Sequence, residues 1–135
     1  MRIVWAIMVL VLLAGSGWVV THALSRDSEQ QQQERRTKSA IAQIQSEIKV
    51  VAGTAGAELN GRGWPVTIDP AWFDGALPAN AMLTGARPWL EVAAPDQANL
   101  KHPVVRQAVD VGTPAFWYNP GNGIVRARVP VMISD

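Results

Sequence analysis

The feature that most constrains this chain is an uncharged apolar run of twenty-two residues near its start. From Ile3 to Leu24 the sequence contains no Asp, Glu, Lys or Arg. As an α-helix this run would be about 33 Å long, which is enough to cross a hydrocarbon core of about 30 Å. Trp5 and Trp18 lie near its two ends, where aromatic rings favour the membrane interface. We therefore expect residues 1–24 to form a transmembrane helix, a signal anchor that contacts membrane lipid.

A cleaved signal peptide is the alternative interpretation of this run. Thr21-His22-Ala23 would then be its cleavage site. The run is longer than the hydrophobic region of signal peptides, which has about 7–15 residues, and this length favours an uncleaved anchor. Three small residues near its middle would allow close packing with other transmembrane helices. These candidate transmembrane packing residues are Gly15, Ser16 and Gly17.

The orientation of the anchor is predicted with the N-terminus in the cytoplasm. Basic residues are more numerous after the run than before it, so the positive-inside count favours the opposite orientation. A very short N-terminal tail is nevertheless easily left in the cytoplasm, and the rest of the chain is typical of an extracytoplasmic protein. We expect a single-pass protein of the inner (cytoplasmic) membrane whose C-terminal domain is extracytoplasmic, and this expectation depends partly on the family resemblance described below.

Residues 25–56 are predicted to form a helical stalk that is first polar and then amphipathic. Residues 25–39 are rich in Gln, Glu, Arg and Lys, which are good helix formers, and contain neither Gly nor Pro. Apolar residues then recur at spacings of three, four and three, which predicts one apolar stripe along a helix. The stripe consists of Ile41, Ile44, Ile48 and Val51. Gly53 and Gly56 end the pattern. A disordered linker over the Gln tract and a short coiled coil are the alternatives.

Residues 57–135 are predicted to form a small β-rich domain, because all nine prolines lie here and turns are frequent. Strand-like runs occur at 64–68, 89–93, 115–119 and 123–133. The last two flank Asn119-Pro120-Gly121-Asn122-Gly123, a sequence typical of a β-hairpin turn. Asp69 before Pro70 predicts a short, capped helical turn. The predicted fold is α+β, with the helical stalk packed on one face of a small antiparallel β-sheet.

The residue types favour a protein without catalytic activity. There is no cysteine, which excludes thiolate catalysis, disulfides and zinc–sulfur sites. His102 is the only histidine after residue 24, and Asp69 and Asp74 have a spacing better suited to capping and turns than to Ca²⁺ binding. A net charge of only +1 excludes a highly basic nucleic-acid binder. We expect no enzyme activity, no cofactor, no metal and no nucleic-acid partner.

The region after residue 60 contains seven large aromatic residues, most of which we expect in the core. In Phe116-Trp117-Tyr118, however, both faces of a strand are aromatic, so one ring should point away from that core. Trp117 is therefore the candidate contact for a partner subunit or a glycan. Arg126 and Arg128, on the predicted outer face of the next strand, are a second candidate contact.

Two short motifs add a resemblance to a known family. The stretch Asn60-Gly61-Arg62-Gly63-Trp64-Pro65 is similar to the Asn-Gly-x-Tyr-Pro stretch that follows the helix in type II secretion pseudopilins. The run from Phe116 to Gly123 is similar to an aromatic hairpin found in some bacterial pseudopilin-like domains. An apolar helix that continues into an amphipathic one and then a β-rich domain also resembles type IV pilins. The resemblance implies a pilin-like fold and a bacterial structural protein that packs through its helix against other pilin-like or secretion-system subunits.

The chain departs from that family in its first residues. Members carry a Gly just before the apolar run and a Glu at the fifth position after that Gly. This sequence has Trp5 at the corresponding position and no Gly before the run. In the family that Glu is thought to pair with the N-terminus of a neighbouring subunit. A second interpretation therefore stays open, a stalked single-pass extracytoplasmic binding module that is independent of any filament.

Overall fold

The computed structural model describes the backbone of residues 2–132 and the side chains of residues 24–132. The chain divides into two units, Met1–Gln33 and Glu34–Asp135. Residues 2–33 of the first unit belong to the long helix α1, and the second unit contains the remainder of α1 and the strands of the described chain. In chain order the elements are α1 (Arg2–Ala52), β1 (Leu90–Val92), β2 (Gln107–Ala108), β3 (Phe116–Asn119), β4 (Ile124–Ala127) and β5 (Val129–Pro130). Two 3-10 turns, Pro70–Phe73 and Pro95–Gln97, lie between them.

Helix α1 passes without a break through the Gln-rich stretch, which confirms the predicted helix and excludes a disordered linker there. It ends at Ala52, where the Gly53 N–H bonds to the Lys49 carbonyl oxygen at 3.1 Å. Gly56 follows with a φ of +81°, a conformation that favours glycine. Among the described residues, no helix is long and apolar enough to cross a membrane. The predicted transmembrane run lies outside the residues with described side chains, apart from Leu24, and so do Gly15, Ser16 and Gly17.

The main sheet has three strands in the order β1-β3-β4. Strands β3 and β4 pair antiparallel, with Tyr118 opposite Val125, which confirms the predicted hairpin. Strand β1 pairs with β3 in parallel, so the prediction of a purely antiparallel sheet is wrong and the sheet is mixed. The reason is the connection of residues 93–115, which brings the chain back to the starting end of β1 before β3 begins; parallel neighbours require such a crossover.

A second, separate sheet consists of the two-residue strands β2 and β5, which pair in parallel. The predicted strand at 64–68 is absent, and the described chain there has only an isolated antiparallel bridge between Leu59 and Pro65. Pro65 lacks the N–H group that a longer ladder would require. The predicted capped turn is present, because the Asp69 carboxylate accepts a hydrogen bond of 2.9 Å from the Ala71 N–H.

The face of the main sheet toward α1 carries the apolar core. The predicted helix stripe lies here: Ile44 and Ile48 are fully buried, whereas Ile41 and Val51 are half-buried. From the sheet, the core contains Phe116, Tyr118 and Val125. The Trp89 ring packs edge-to-face on Phe73 and on Phe116, with ring centroids 5.8 Å and 5.9 Å apart.

One buried amide links α1 to the edge of this core. The Thr37 hydroxyl donates a hydrogen bond of 3.3 Å to Asn80 Oδ1. Asn80 Nδ2 in turn donates to the carbonyl oxygens of Ala115 and Arg128, at 3.1 Å and 2.7 Å. Because all three bonds are buried, Asn80 fixes the helix, the start of β3 and the end of β4 relative to one another.

The opposite face of the main sheet is covered by the crossover segment of residues 93–115. Asn119 Nδ2 donates to the carbonyl oxygens of Gln97, Ala98 and Leu100. Arg126 Nε donates to the Lys101 carbonyl oxygen at 3.0 Å. These bonds tie the segment to Asn119 of β3 and Arg126 of β4, so the segment covers much of this second face.

The two motifs that carry the family resemblance lie in contact. Asn60 Oδ1 accepts hydrogen bonds from the N–H groups of Arg62 and Trp64, both at 3.0 Å, and Asn60 Nδ2 donates to the Pro120 carbonyl oxygen at 2.6 Å. Gly123, with a φ of +71°, lies directly on the Trp64 ring, and a Cβ there would be 2.6 Å from it. Only glycine fits this position of the hairpin turn.

Candidate partner-binding surface

The prediction that Trp117 is an exposed partner contact is wrong. Its side chain points away from the α1-facing core, as predicted from the alternation, because Phe116 and Tyr118 occupy the other face. The crossover segment covers that second face, however, and Trp117 is only 1% exposed. The ring therefore contributes to stability and is not available to a partner.

The prediction that Arg128 is an exposed contact is also wrong. The side chain is 4% exposed and forms an ion pair with Glu91 across the sheet. Its guanidinium also donates to the carbonyl oxygens of Val105, at 2.9 Å, and Pro114, at 3.1 Å. Arg128 thus fixes the part of the crossover segment between Val105 and Pro114 at both of its ends. Arg126 is half-buried by its bond to the segment and keeps part of its surface open to solvent.

The remaining polar candidates have local roles in the structure. Asp69 caps a 3-10 turn and Asp74 follows the same turn in a left-handed conformation, with a φ of 49°. In the part of the chain that the structure describes, no three metal-binding side chains come together. His102 is exposed on the crossover segment. Partial desolvation and the positive charges of Arg106, Arg126 and Lys101 lower the pKa of His102.

The most unusual surface of the described chain is aliphatic. Val104 is 75% exposed and Val109 is 63% exposed, and both line the same shallow groove with Val105 and Val129. The pairing of β2 with β5 brings these residues together, because Gln107 lies opposite Val129. We call this the valine surface, defined by Val104, Val105, Val109 and Val129. Val111, Val131 and Met132, next to it in the sequence, are also exposed.

One edge of the β2–β5 ladder is open and the other is closed. The Val129 N–H bonds to the Arg106 carbonyl oxygen at 3.1 Å, so Val129 directs its backbone groups toward β2. In a parallel ladder its partner Gln107 then directs its own N–H and C=O away from β5. No strand pairs with that edge among the described residues. On the β5 edge, Pro130 has no N–H to offer, and the Arg128 N–H already bonds to the Ala115 carbonyl oxygen.

Positive charge lies beside the open edge at Arg106. Arg106 directly precedes β2, and Lys101 and Arg126 are close enough to act on His102. No acidic residue lies between Asp96 and Asp110 in the sequence. The surface therefore combines exposed aliphatic side chains, unpaired backbone groups at Gln107 and the Arg106 cation.

Sequence reasoning missed this surface, although a signal was present. Val105, Val109 and Val111 recur at even spacings from residue 105, a pattern typical of a strand with one apolar face. Prolines and glycines bound the stretch and make this pattern short. The surface forms only where β2 pairs with β5, which is more than twenty residues away, and no local signal predicts that pairing.

Comparison with known proteins adds no relative. No protein-family model matches this chain, and no curated protein and no solved structure is significantly similar to it.

Proposed function

We propose that this chain is a non-catalytic structural subunit of a type II secretion or type IV pilus-like assembly, similar to the pseudopilins. The apolar run anchors it in the inner (cytoplasmic) membrane, and the β-rich part is extracytoplasmic. The valine surface is the observation that carries the proposal. A group of aliphatic side chains with exposed fractions this high favours burial against another protein.

Two features of the fold support a pilin-like subunit. A single helix lays its apolar stripe, centred on Ile44 and Ile48, on one face of a small sheet. The Asn60–Pro65 motif and the hairpin turn after β3, on which the resemblance rests, are joined by the bond from Asn60 to Pro120. Because the two motifs pack on each other, they specify one local structure together. Their joint occurrence therefore supports the resemblance more strongly than either motif alone.

Photo-crosslinking in native membranes tests the proposal. A photoreactive amino acid replaces Val109 on the valine surface or, as the control, Val66, which is 41% exposed elsewhere on the domain. We expect Val109 to crosslink to a membrane-assembly subunit of defined mass, and Val66 to give no such product. Mass spectrometry identifies the product.

Two outcomes would overturn the proposal. Release of the full chain from membranes by alkaline extraction would contradict the proposed membrane anchor. If Val109 gives no crosslinked product, or the same products as Val66, the proposed role in an assembly would be contradicted.

A stalked single-pass binding module outside any filament is the second candidate. Trp5 favours it, because the family member's Glu at this position is the group that pairs with a neighbouring subunit. The same crosslinking separates the two candidates: a module gives a product with a soluble or envelope ligand, whereas a subunit gives products with other membrane-anchored chains.

A further inference from the structure

We propose that β2 binds an extended segment of a partner protein along its open edge, and that this segment alternates aliphatic with acidic side chains. The proposal rests on the proposed function only in taking the valine surface as the contact site. It adds the mode of binding and the chemistry of the partner.

The open edge supplies the backbone part of the recognition. Gln107 directs its N–H and C=O away from β5, and Gln107 is exposed. A strand laid beside β2 would satisfy both groups and turn the two-stranded ladder into a three-stranded one. Addition of a strand to an exposed edge is a recurrent mode of peptide recognition, in which backbone bonds give affinity and side-chain contacts give specificity.

The valine surface supplies the apolar part. Val105 and Val109 flank β2 on its two sides and line the groove that also contains Val129. Alternate side chains of an added strand point to the same face. Aliphatic residues at every second position of the partner segment would therefore lie against these valines and remove them from water.

Charge complementarity supplies the acidic part. Arg106 lies in the groove beside the edge, and its positive charge, with those of Arg126 and Lys101, adds to desolvation in lowering the pKa of His102. A segment that carries Asp or Glu at the remaining positions would gain from these cations, whereas a basic segment would be repelled. Among the residues that line this groove none is acidic, so the Arg106 charge has no acidic partner within it.

Binding of synthetic peptides to the full chain in neutral detergent tests the inference. The probe is a peptide of alternating Val and Glu of about eight residues, a common strand length. The matched controls are the same peptide with Lys in place of Glu and the same peptide with alternate N-methylated amides. Backbone NMR follows the Gln107 amide, and titration gives the dissociation constant.

We expect the Val/Glu peptide to shift the Gln107 amide resonance and to protect it from hydrogen exchange. Arg106→Glu and Val109→Ser should each weaken binding about tenfold or more, in the range of a lost charge pair or apolar anchor. Val66→Ser, a matched exposed valine elsewhere, should leave the dissociation constant unchanged. The Lys peptide and the N-methylated peptide should fail to bind.

Several results would overturn the inference. Equal binding of the N-methylated peptide would exclude strand addition, and equal binding of the Lys peptide would exclude charge recognition. Shifts confined to residues outside 101–109, or no binding at all, would exclude this edge. Preferential binding of anionic vesicles through Val109 would identify a lipid surface as the occupant. Because these measurements need no assembly, peptide binding and the role in a secretion-type assembly succeed or fail independently.

Discussion

The face of the main sheet toward α1 is covered by aliphatic and aromatic side chains, whereas the opposite face is covered by a crossover segment with little secondary structure of its own. On the first face the contacts are apolar, with Ile44 and Ile48 against Phe116, Tyr118 and Val125. On the second face, side chains of the sheet donate hydrogen bonds to backbone carbonyl groups of the segment. A helix satisfies its own backbone, but an irregular segment does not, so the sheet supplies the missing donors.

This difference explains which polar residues are buried. Asn119 and Arg128 between them donate to five carbonyl groups of residues 97–114. Each bond replaces one that water would otherwise make, so these five carbonyl groups can lie against the sheet with a partner. The two faces are therefore covered by different kinds of contact and should respond to mutation in different ways.

The largest effect should come from removing the one large ring on the segment-covered face. Trp117→Ala should destabilise the domain by about 3–5 kcal/mol, as expected for a buried aromatic residue. Hydrogen exchange of the β3 and β4 amides in the full chain measures this free energy. Val66→Ala, at an exposed position, should cost below about 1 kcal/mol. A Trp117→Ala effect as small as that of the control would mean that the ring is exposed in solution.

Loss of Arg128 should have the next largest effect. Arg128→Ala leaves the Val105 and Pro114 carbonyl groups without their donor and Glu91 without its partner, which should cost about 2–4 kcal/mol. Arg126→Ala is the matched control, because Arg126 lies on the same face and donates to one carbonyl group only. Amide exchange within residues 104–114 should rise much more in the Arg128 variant. Equal effects would contradict the anchoring role of Arg128.

On the helix-covered face, the corresponding test uses pH. Burial raises the pKa of Tyr118 to about 12. Below pH 10 the phenol is neutral in both the folded and the unfolded chain. Between pH 10 and 12 the unfolded chain loses this proton first, so stability falls by up to about 2.7 kcal/mol at 1.36 kcal/mol per pKa unit.

Tyr118 is the only tyrosine of the chain, so tyrosinate absorbance reports its titration directly. Tyr118→Phe is the control: it loses the hydrogen bond to the Pro65 carbonyl oxygen, at 2.7 Å, and should show a flatter stability curve above pH 10. Titration near the ordinary value of 10 in the folded protein would contradict burial of the hydroxyl.

The smallest effect on stability is expected outside both faces, on the valine surface. Val109→Ser should change the free energy of unfolding by no more than about 0.5 kcal/mol, since the side chain is already in water. The same substitution should weaken binding of the Val/Glu peptide about tenfold or more. A loss of stability comparable to that of Trp117→Ala would place Val109 in a folded core instead.

The sequence was most informative where the signal is local. The helix end after Val51, the cap at Asp69 and the hairpin around Asn119-Pro120-Gly121-Asn122-Gly123 depend on neighbouring residues, and each was predicted correctly. The burial of Trp117 and Arg128, by contrast, depends on a segment that begins more than twenty residues before them. No periodic pattern in that segment indicates that it covers a sheet, because its backbone forms hydrogen bonds with side chains and not with a neighbouring strand.

The parallel pairing of β1 with β3 was beyond sequence reasoning for the same reason. Leu90 and Phe116 are opposite each other only because the crossover returns the chain to its starting end. The valine surface had a periodic signal of its own, but its exposure is a property of the β2–β5 contact. Local chemistry thus predicted the elements, and distant contacts decided which of their surfaces stay open.

The position of β3 in the centre of the sheet has a consequence for synthesis on the ribosome. Helix α1 emerges first, yet Ile44 and Ile48 are covered by Phe116, Tyr118 and Val125, which are translated some seventy residues later. Until then the helix carries an uncovered apolar stripe in a chain that cannot close its core. During that interval the stripe is open to chaperones or to a neighbouring helix, and the last hairpin to be made is the one that ends this exposure.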